Sequence, residues 1–88
     1  MSRDENSLKE KLEGYLAKAK PLFEDLEAVE KAGIPHATVK HFKEMASSYY
    51  KDALHFHEQG DYVNALGALE YAEGWLDAGK TMGIFRKE

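Results

Sequence analysis

The sequence predicts an all-α fold, an up-down-up three-helix bundle, on three observations. Alanine and leucine account for 11 and 9 of the 88 residues, against 7 of Val, Ile and Thr combined. That balance suits helices, where β-branched side chains lose rotamer freedom, and starves strands. Apolar residues recur at helical spacing through three segments. Two sharp breaks, Gly33-Ile34-Pro35 and Gly60-Asp61, separate those segments. Eighty-eight residues allow a single domain.

The first segment is expected to be helical over about residues 8–32. Ser7 and Glu10 have the spacing of a capping box, which leaves residues 1–6 as a frayed arm. Leu8, Leu12, Tyr15, Leu16, Ala19, Leu22, Phe23, Leu26 and Val29 fall in one stripe about 140° wide. The stripe keeps its phase across Pro21, which lies on the polar side, so one helix bent at Pro21 is expected rather than two. Gly33 then suits a left-handed C-cap and Pro35 a first helical turn.

The second helix is expected over about residues 36–59. Val39, Phe42, Met45, Ala46, Tyr49, Tyr50, Ala53 and Phe56 share its inner side. Lys40, Glu44, Ser47, Ser48, Lys51, Asp52, His55 and Glu58 share the other. Gly60 stops this helix and Asp61 caps the next. Connections this short make successive helices antiparallel neighbours.

The third helix, about residues 61–82, is different in kind. Its polar arc of Glu70, Glu73, Asp77, Lys80 and Thr81 spans only about 100°, leaving an apolar or small arc roughly twice the width of an ordinary surface helix. Within that arc, Gly67 and Gly74 stand two turns apart on one edge, with Ala78 beyond them. A glycine inside a helix costs about 1 kcal/mol relative to alanine, which close approach by another helix would repay. The arc is covered either by the other two helices or by a second chain. Gly83 is expected to cap the third helix, with Ile84 and Phe85 packing back on the bundle.

Charge and composition exclude several function classes. Twelve basic against 16 acidic residues give a net charge of −4, which disfavours a broad phosphate-binding surface. Lys9, Lys11, Lys18 and Lys20 alternate with acids and suit a solvated face better than nucleic acid. Without cysteine there is no disulfide framework or cysteine-rich zinc site. No apolar run is long enough to span a membrane and no basic-then-apolar leader precedes the domain, so a cytoplasmic location is expected.

No catalytic constellation stands out. The sequence contains no Glu-x-x-His, the element on which carboxylate-bridged metal bundles depend, so neither a metal nor a cofactor is expected. There is no phosphate loop, nucleophile elbow or arginine followed by histidine at nuclease-like spacing. His57 falls on the apolar side of the second helix near Tyr50 and is read as a partly buried core residue. Asn64 lies inside the apolar arc of the third helix and is read as a buried asparagine that satisfies a helix end or sets packing register. Glu70, Glu73 and Asp77 form a carboxylate row, read first as a solvated face that could also meet a basic partner or accept bonds from Tyr49 or Tyr50.

The stretch from Gly60 to Phe85 carries a resemblance. Its Gly60-Asp61-Tyr62 opening, its alanines in phase, its run from Glu70, Tyr71 and Ala72 through Gly74, Trp75, Leu76, Asp77, Ala78 and Gly79, and its closing Gly83-Ile84-Phe85 resemble a small archaeal family known only as domain of unknown function three-five-seven. Tyr49, Tyr50 and Ala53 fit the same pattern, and the first helix matches only in outline. The resemblance implies a helical bundle of the archaeal cytoplasm and no known activity. A looser likeness to one tetratricopeptide hairpin rests on Tyr49, Ala53, Phe56, Gly60, Asp61, Tyr62, Ala65, Leu69 and Ala72, with Asp77 at the usual closing proline. One hairpin does not make a stacked repeat array.

Two functional readings follow. The first is a non-enzymatic protein interaction module, expected to self-associate as a homodimer through Gly67, Tyr71, Gly74, Trp75 and Ala78. The second is a small-ligand or nucleotide-binding domain with a pocket between the second and third helices, lined by Tyr49, Tyr50, His57, Asn64 and Tyr71 and flanked by Glu70, Glu73 and Asp77.

Overall fold

A computed structural model describes residues 3–86. It contains three helices, α1 (Arg3–Glu24), α2 (His36–Glu58) and α3 (Tyr62–Met82), with no strand among the described residues beyond one isolated bridge. The up-down-up order can be read from side-chain pairs. Going up α1 from Glu13 to Phe23, the partners on α2 run down from His57 to Tyr50. Going up α3 from Tyr62 to Trp75, they run down from His57 to Phe42.

The α2–α3 hairpin is built as the sequence predicts. Gly60 takes φ 76°, a left-handed conformation that costs a glycine nothing. The Asp61 carboxylate then accepts the backbone N–H of Asn64, capping α3. Between the two helices lies a seam of small residues. Ala46 and Ala53 on α2 and Ala65, Ala68 and Ala72 on α3 are all buried. Alanines two turns apart let the two backbones approach closely, and Leu69 and Leu76 are buried in the same core as Leu12, Leu16 and Phe23 of α1.

The first segment departs from expectation at both ends. Helix α1 begins at Arg3, so Ser7 and Glu10 lie inside it and form no capping box; of the expected arm, residues 1–2 lie outside the described region. The helix also ends at Glu24 rather than near residue 32, which puts Pro21 in its last turn with no second half to bend. Residues 25–35 form a connector, longer than the short link expected. Its backbone goes to the C-terminal tail: the Val29 N–H donates to Ile84 O at 2.8 Å, the Arg86 N–H donates to Glu27 O at 3.1 Å, and Ala28 bridges Phe85. Glu27 through Ala32 are sound helix formers locally, but this long-range pairing overrides propensity.

The tail arrives where the sequence places it. Gly83 closes α3 at φ 79°, and Ile84 and Phe85 are fully buried. The Phe85 ring lies against Gly79, where an added Cβ would fall on the ring itself. Leu26 stays buried and Val29 half-buried without being helical, while Tyr15 and Leu22 are exposed although their spacing puts them in the α1 stripe.

Because Glu13 of α1 is level with His57 near the end of α2, the first turns of α1 run on past the α2–α3 turn. The molecule is accordingly elongated, 53 × 21 × 16 Å. Its radius of gyration is 14.4 Å, against about 12 Å for a compact chain of this length.

Candidate functional site

The side of α3 turned away from the core holds the residues of interest. At 100° per residue, Val63, Gly67, Tyr71, Gly74, Ala78 and Met82 fall in a strip about 100° wide, with Asn64 and Thr81 at its borders and no charged residue in it. Val63 is 71% exposed, Tyr71 66% and Met82 36%. A Cβ placed on Gly67 or on Gly74 would meet nothing within 4 Å, so nothing in the chain itself requires glycine at either position.

Aromatic contacts across the hairpin fix the border of this strip. Trp75 stands edge-on to Phe42 at 4.9 Å and to His41 at 5.4 Å. Tyr71 stacks on Tyr49 at 5.3 Å, so its ring is oriented although largely uncovered. Between them, Phe42, Glu70, Tyr71, Gly74, Trp75 and Ala78 line an open, mostly apolar hollow of about 350 Å³.

All five residues expected to form an interaction surface lie on this side of the hairpin, with Gly74, Ala78 and Tyr71 exposed and Gly67 and Trp75 half-buried. Val63, Met82, Phe42 and His41 belong to the same surface and are absent from the sequence-based set. Extending the angular projection of α3 to both its ends would have found Val63 and Met82. Phe42 and His41 depend on how α2 packs.

The eight residues expected to line a ligand pocket fall on different sides of the molecule. Tyr50 turns toward α1, where it stacks on Phe23 at 4.9 Å and its hydroxyl donates to Glu24 at 3.4 Å. It is thus Glu24, and none of the α3 carboxylates, that receives this tyrosine. His57 is half-buried as expected, and its Nε2 pairs with Glu13 of α1 at 2.8 Å. Asn64 is exposed rather than buried; its side-chain amide donates to the Asp61 carboxylate at 2.7 Å, supporting the helix cap. Its wheel position faces outward because the core takes only the other part of the apolar arc. Tyr49 and Tyr71 remain together on the outer side.

Glu70, Glu73 and Asp77 are exposed along the edge of α3. Burial pushes the Glu73 carboxyl above the usual range, and the charges of Asp77 and Glu70 push it further. The Tyr50 hydroxyl is likewise raised, first by burial and then by the charge and hydrogen bond of Glu24. Among the described residues, no group of three or more His, Cys, Asp or Glu side chains is placed to hold a metal ion. No described helix is long and apolar enough to cross a membrane.

The fold and the surface together define a small three-helix protein whose last helix presents an uncharged strip beside a row of exposed carboxylates. The chain belongs to the family described as Protein of unknown function (DUF357), whose model matches residues 3–85 and so takes in α1 as well as the hairpin. No curated protein and no solved structure matches it.

Proposed function

We propose that this chain is a helical interaction module that self-associates through the outer face of α3, with Gly67, Tyr71, Gly74, Trp75 and Ala78 at the contact. The observation that carries this reading is the uncharged strip itself, in a chain of which 32% is charged. On the inner side of α3, small residues two turns apart, Ala65 and Ala72, receive a helix. On the outer side, Gly67 and Gly74 repeat that spacing with open space above them. Each glycine costs about 1 kcal/mol of helix propensity that nothing within the chain repays. A small domain supplements a thin core in this way.

The test is light scattering coupled to size exclusion over a range of concentrations, on the natural chain and on Gly74→Leu. A Cβ at position 74 would meet nothing within 4 Å, so the fold is expected to be retained while association falls at least tenfold. Trp75→Ala serves as a second variant, with the loss of its Phe42 and His41 contacts also lowering thermal stability. Unchanged association in both variants would overturn the reading.

The small-ligand alternative has one observation in its favour. The hollow of about 350 Å³ between α2 and α3 has the volume of a small-molecule site, roughly 300–1,000 Å³. Its one charged lining residue is Glu70, which suits a planar cation and opposes a nucleotide phosphate. A ligand at 100 times its Kd stabilises by about 2.7 kcal/mol, so a thermal-shift series with small aromatic cations tests it.

A further inference from the structure

We infer that the chain carries a separate ligand site, away from the outer face of α3: a hollow between α1 and α2 that takes a small carboxylate with an apolar body, its head group held between Lys43 and Lys51.

The hollow follows from how the helices are spaced. Helix α2 packs closely on α3 along the alanine seam, whereas α1 meets α2 much more sparsely. Two hollows are left along the α1–α2 side, of about 420 and 370 Å³. Both have the volume of a small-molecule site, roughly 300–1,000 Å³. They share Glu24, Tyr50 and Leu54, so Tyr50 stands at the divide between them.

The two hollows differ in how their charges are matched. The larger is lined by Glu13, Lys20, Glu24 and His57, which are already engaged with one another. His57 pairs with Glu13 at 2.8 Å and Lys20 with Glu24 at 3.7 Å. The smaller is lined by Lys43 and Lys51, and neither forms an ion pair among the described residues. The sequence gives the reason, since no acid stands three or four residues from either lysine on α2. Glu24, the one carboxylate on the wall, already receives Lys20 and the Tyr50 hydroxyl. In a chain of net charge −4, this hollow is therefore one place where positive charge is left over for an anion.

The spacing suits a carboxylate head group. Ser47 is half-buried and lies midway between the lysines, four residues from each. That is about 6 Å of helix, a distance a lysine side chain spans. Both ammonium groups can thus reach one carboxylate seated over Ser47, one for each oxygen. Glu24 on the same wall opposes the second negative charge of a phosphate. Beyond the head group, Phe23, Leu26 and Leu54 supply an apolar wall for the body of the ligand. Tyr50, only 5% exposed, reaches the hollow from within the core, and burial together with the charge of Glu24 keeps its hydroxyl protonated.

The test is an NMR titration of the isotopically labelled natural chain with octanoate, below its micelle concentration. Octanol, octylamine and octyl phosphate are titrated beside it. Octanoate is expected to shift the amides of Ser47, Lys51 and Leu54, with octanol and octylamine binding weaker by roughly tenfold or more. Lys43→Gln combined with Lys51→Gln alters two exposed side chains, so the fold is expected to be retained while the Kd for octanoate rises by roughly tenfold or more. Equal binding of octanol, or unchanged binding of octanoate to the double variant, would overturn the role of the lysines. Shifts confined to Tyr71 and Gly74 would mark apolar adsorption on α3 and overturn the site, as would the absence of any shift. Tighter binding of octyl phosphate than of octanoate would overturn the choice of a carboxylate.

Discussion

On its inner side, α3 lays Ala65, Ala68, Leu69, Ala72 and Leu76 against the rest of the chain, and all five are buried. On its outer side, the same helix shows Val63, Tyr71, Gly74 and Ala78 to solvent. Both sides combine small residues two turns apart with larger ones between them. The inner set is satisfied within the chain by Ala46 and Ala53 of α2, whereas in the outer set only Tyr71 has a ring partner, Tyr49, and Gly67 and Gly74 have open space above them. Burial alone thus separates the side that holds the fold from the side left open. Helix propensity makes the same division, since the open positions carry glycine where alanine would serve the isolated fold better.

The largest expected difference between the sides comes from truncating a large residue on the inner one. Leu69→Ala removes a fully buried side chain and is expected to cost about 2–5 kcal/mol, measured by chemical denaturation. Tyr71→Ala on the outer side is expected to change monomer stability by less than about 1 kcal/mol, the worth of its stacking on Tyr49.

Glycines sharpen the comparison, because one substitution reverses sign around the helix. At Gly79 a methyl group falls on the Phe85 ring, so Gly79→Ala is expected to destabilise by about 1–3 kcal/mol. Hydrogen exchange should then quicken at Val29 and Arg86, whose N–H groups hold the connector and the tail together. At Gly74 the methyl group meets open space, so Gly74→Ala is expected to raise stability by about 1 kcal/mol, measured at concentrations where the chain is monomeric. If both variants moved stability in the same direction, the distinction between the two sides would fail.

The smallest effect concerns the acidic edge between them. The Glu73 carboxyl lies above its usual range through burial and through the charges of Asp77 and Glu70. A raised carboxyl favours the folded state when protonated. That contribution is complete below the unfolded-state value and is lost as pH rises through the folded one. Glu73→Gln should therefore raise the melting temperature slightly near neutral pH and leave it unchanged in acid.

How much was legible follows from which features are local. The α2–α3 turn depends on Gly60 and Asp61 alone, and the end of α3 on Gly83, so both stand where the sequence puts them. The end of α1 depends on residues 27–29 bonding to residues 84–86, a pairing that no local pattern records. The periodic stripe through Leu26 and Val29 is real as a burial pattern but is met by a connector instead of a helix. Asn64 departs from expectation for a related reason. The wide apolar arc of α3 shows that part of it is uncovered without saying which part, and the core takes the side away from Asn64. The candidate surface is marked in the sequence by its glycines and, on the same angular projection, by Val63 and Met82 at its ends, while Phe42 and His41 depend on how α2 packs.

Whether the outer face of α3 serves a second copy of the chain is tested most directly by mass in solution measured across concentration. The expected result is a mass rising to twice that of one chain for the natural protein, and the mass of one chain for Gly74→Leu under the same conditions. A mass of one chain for the natural protein at every concentration would contradict it.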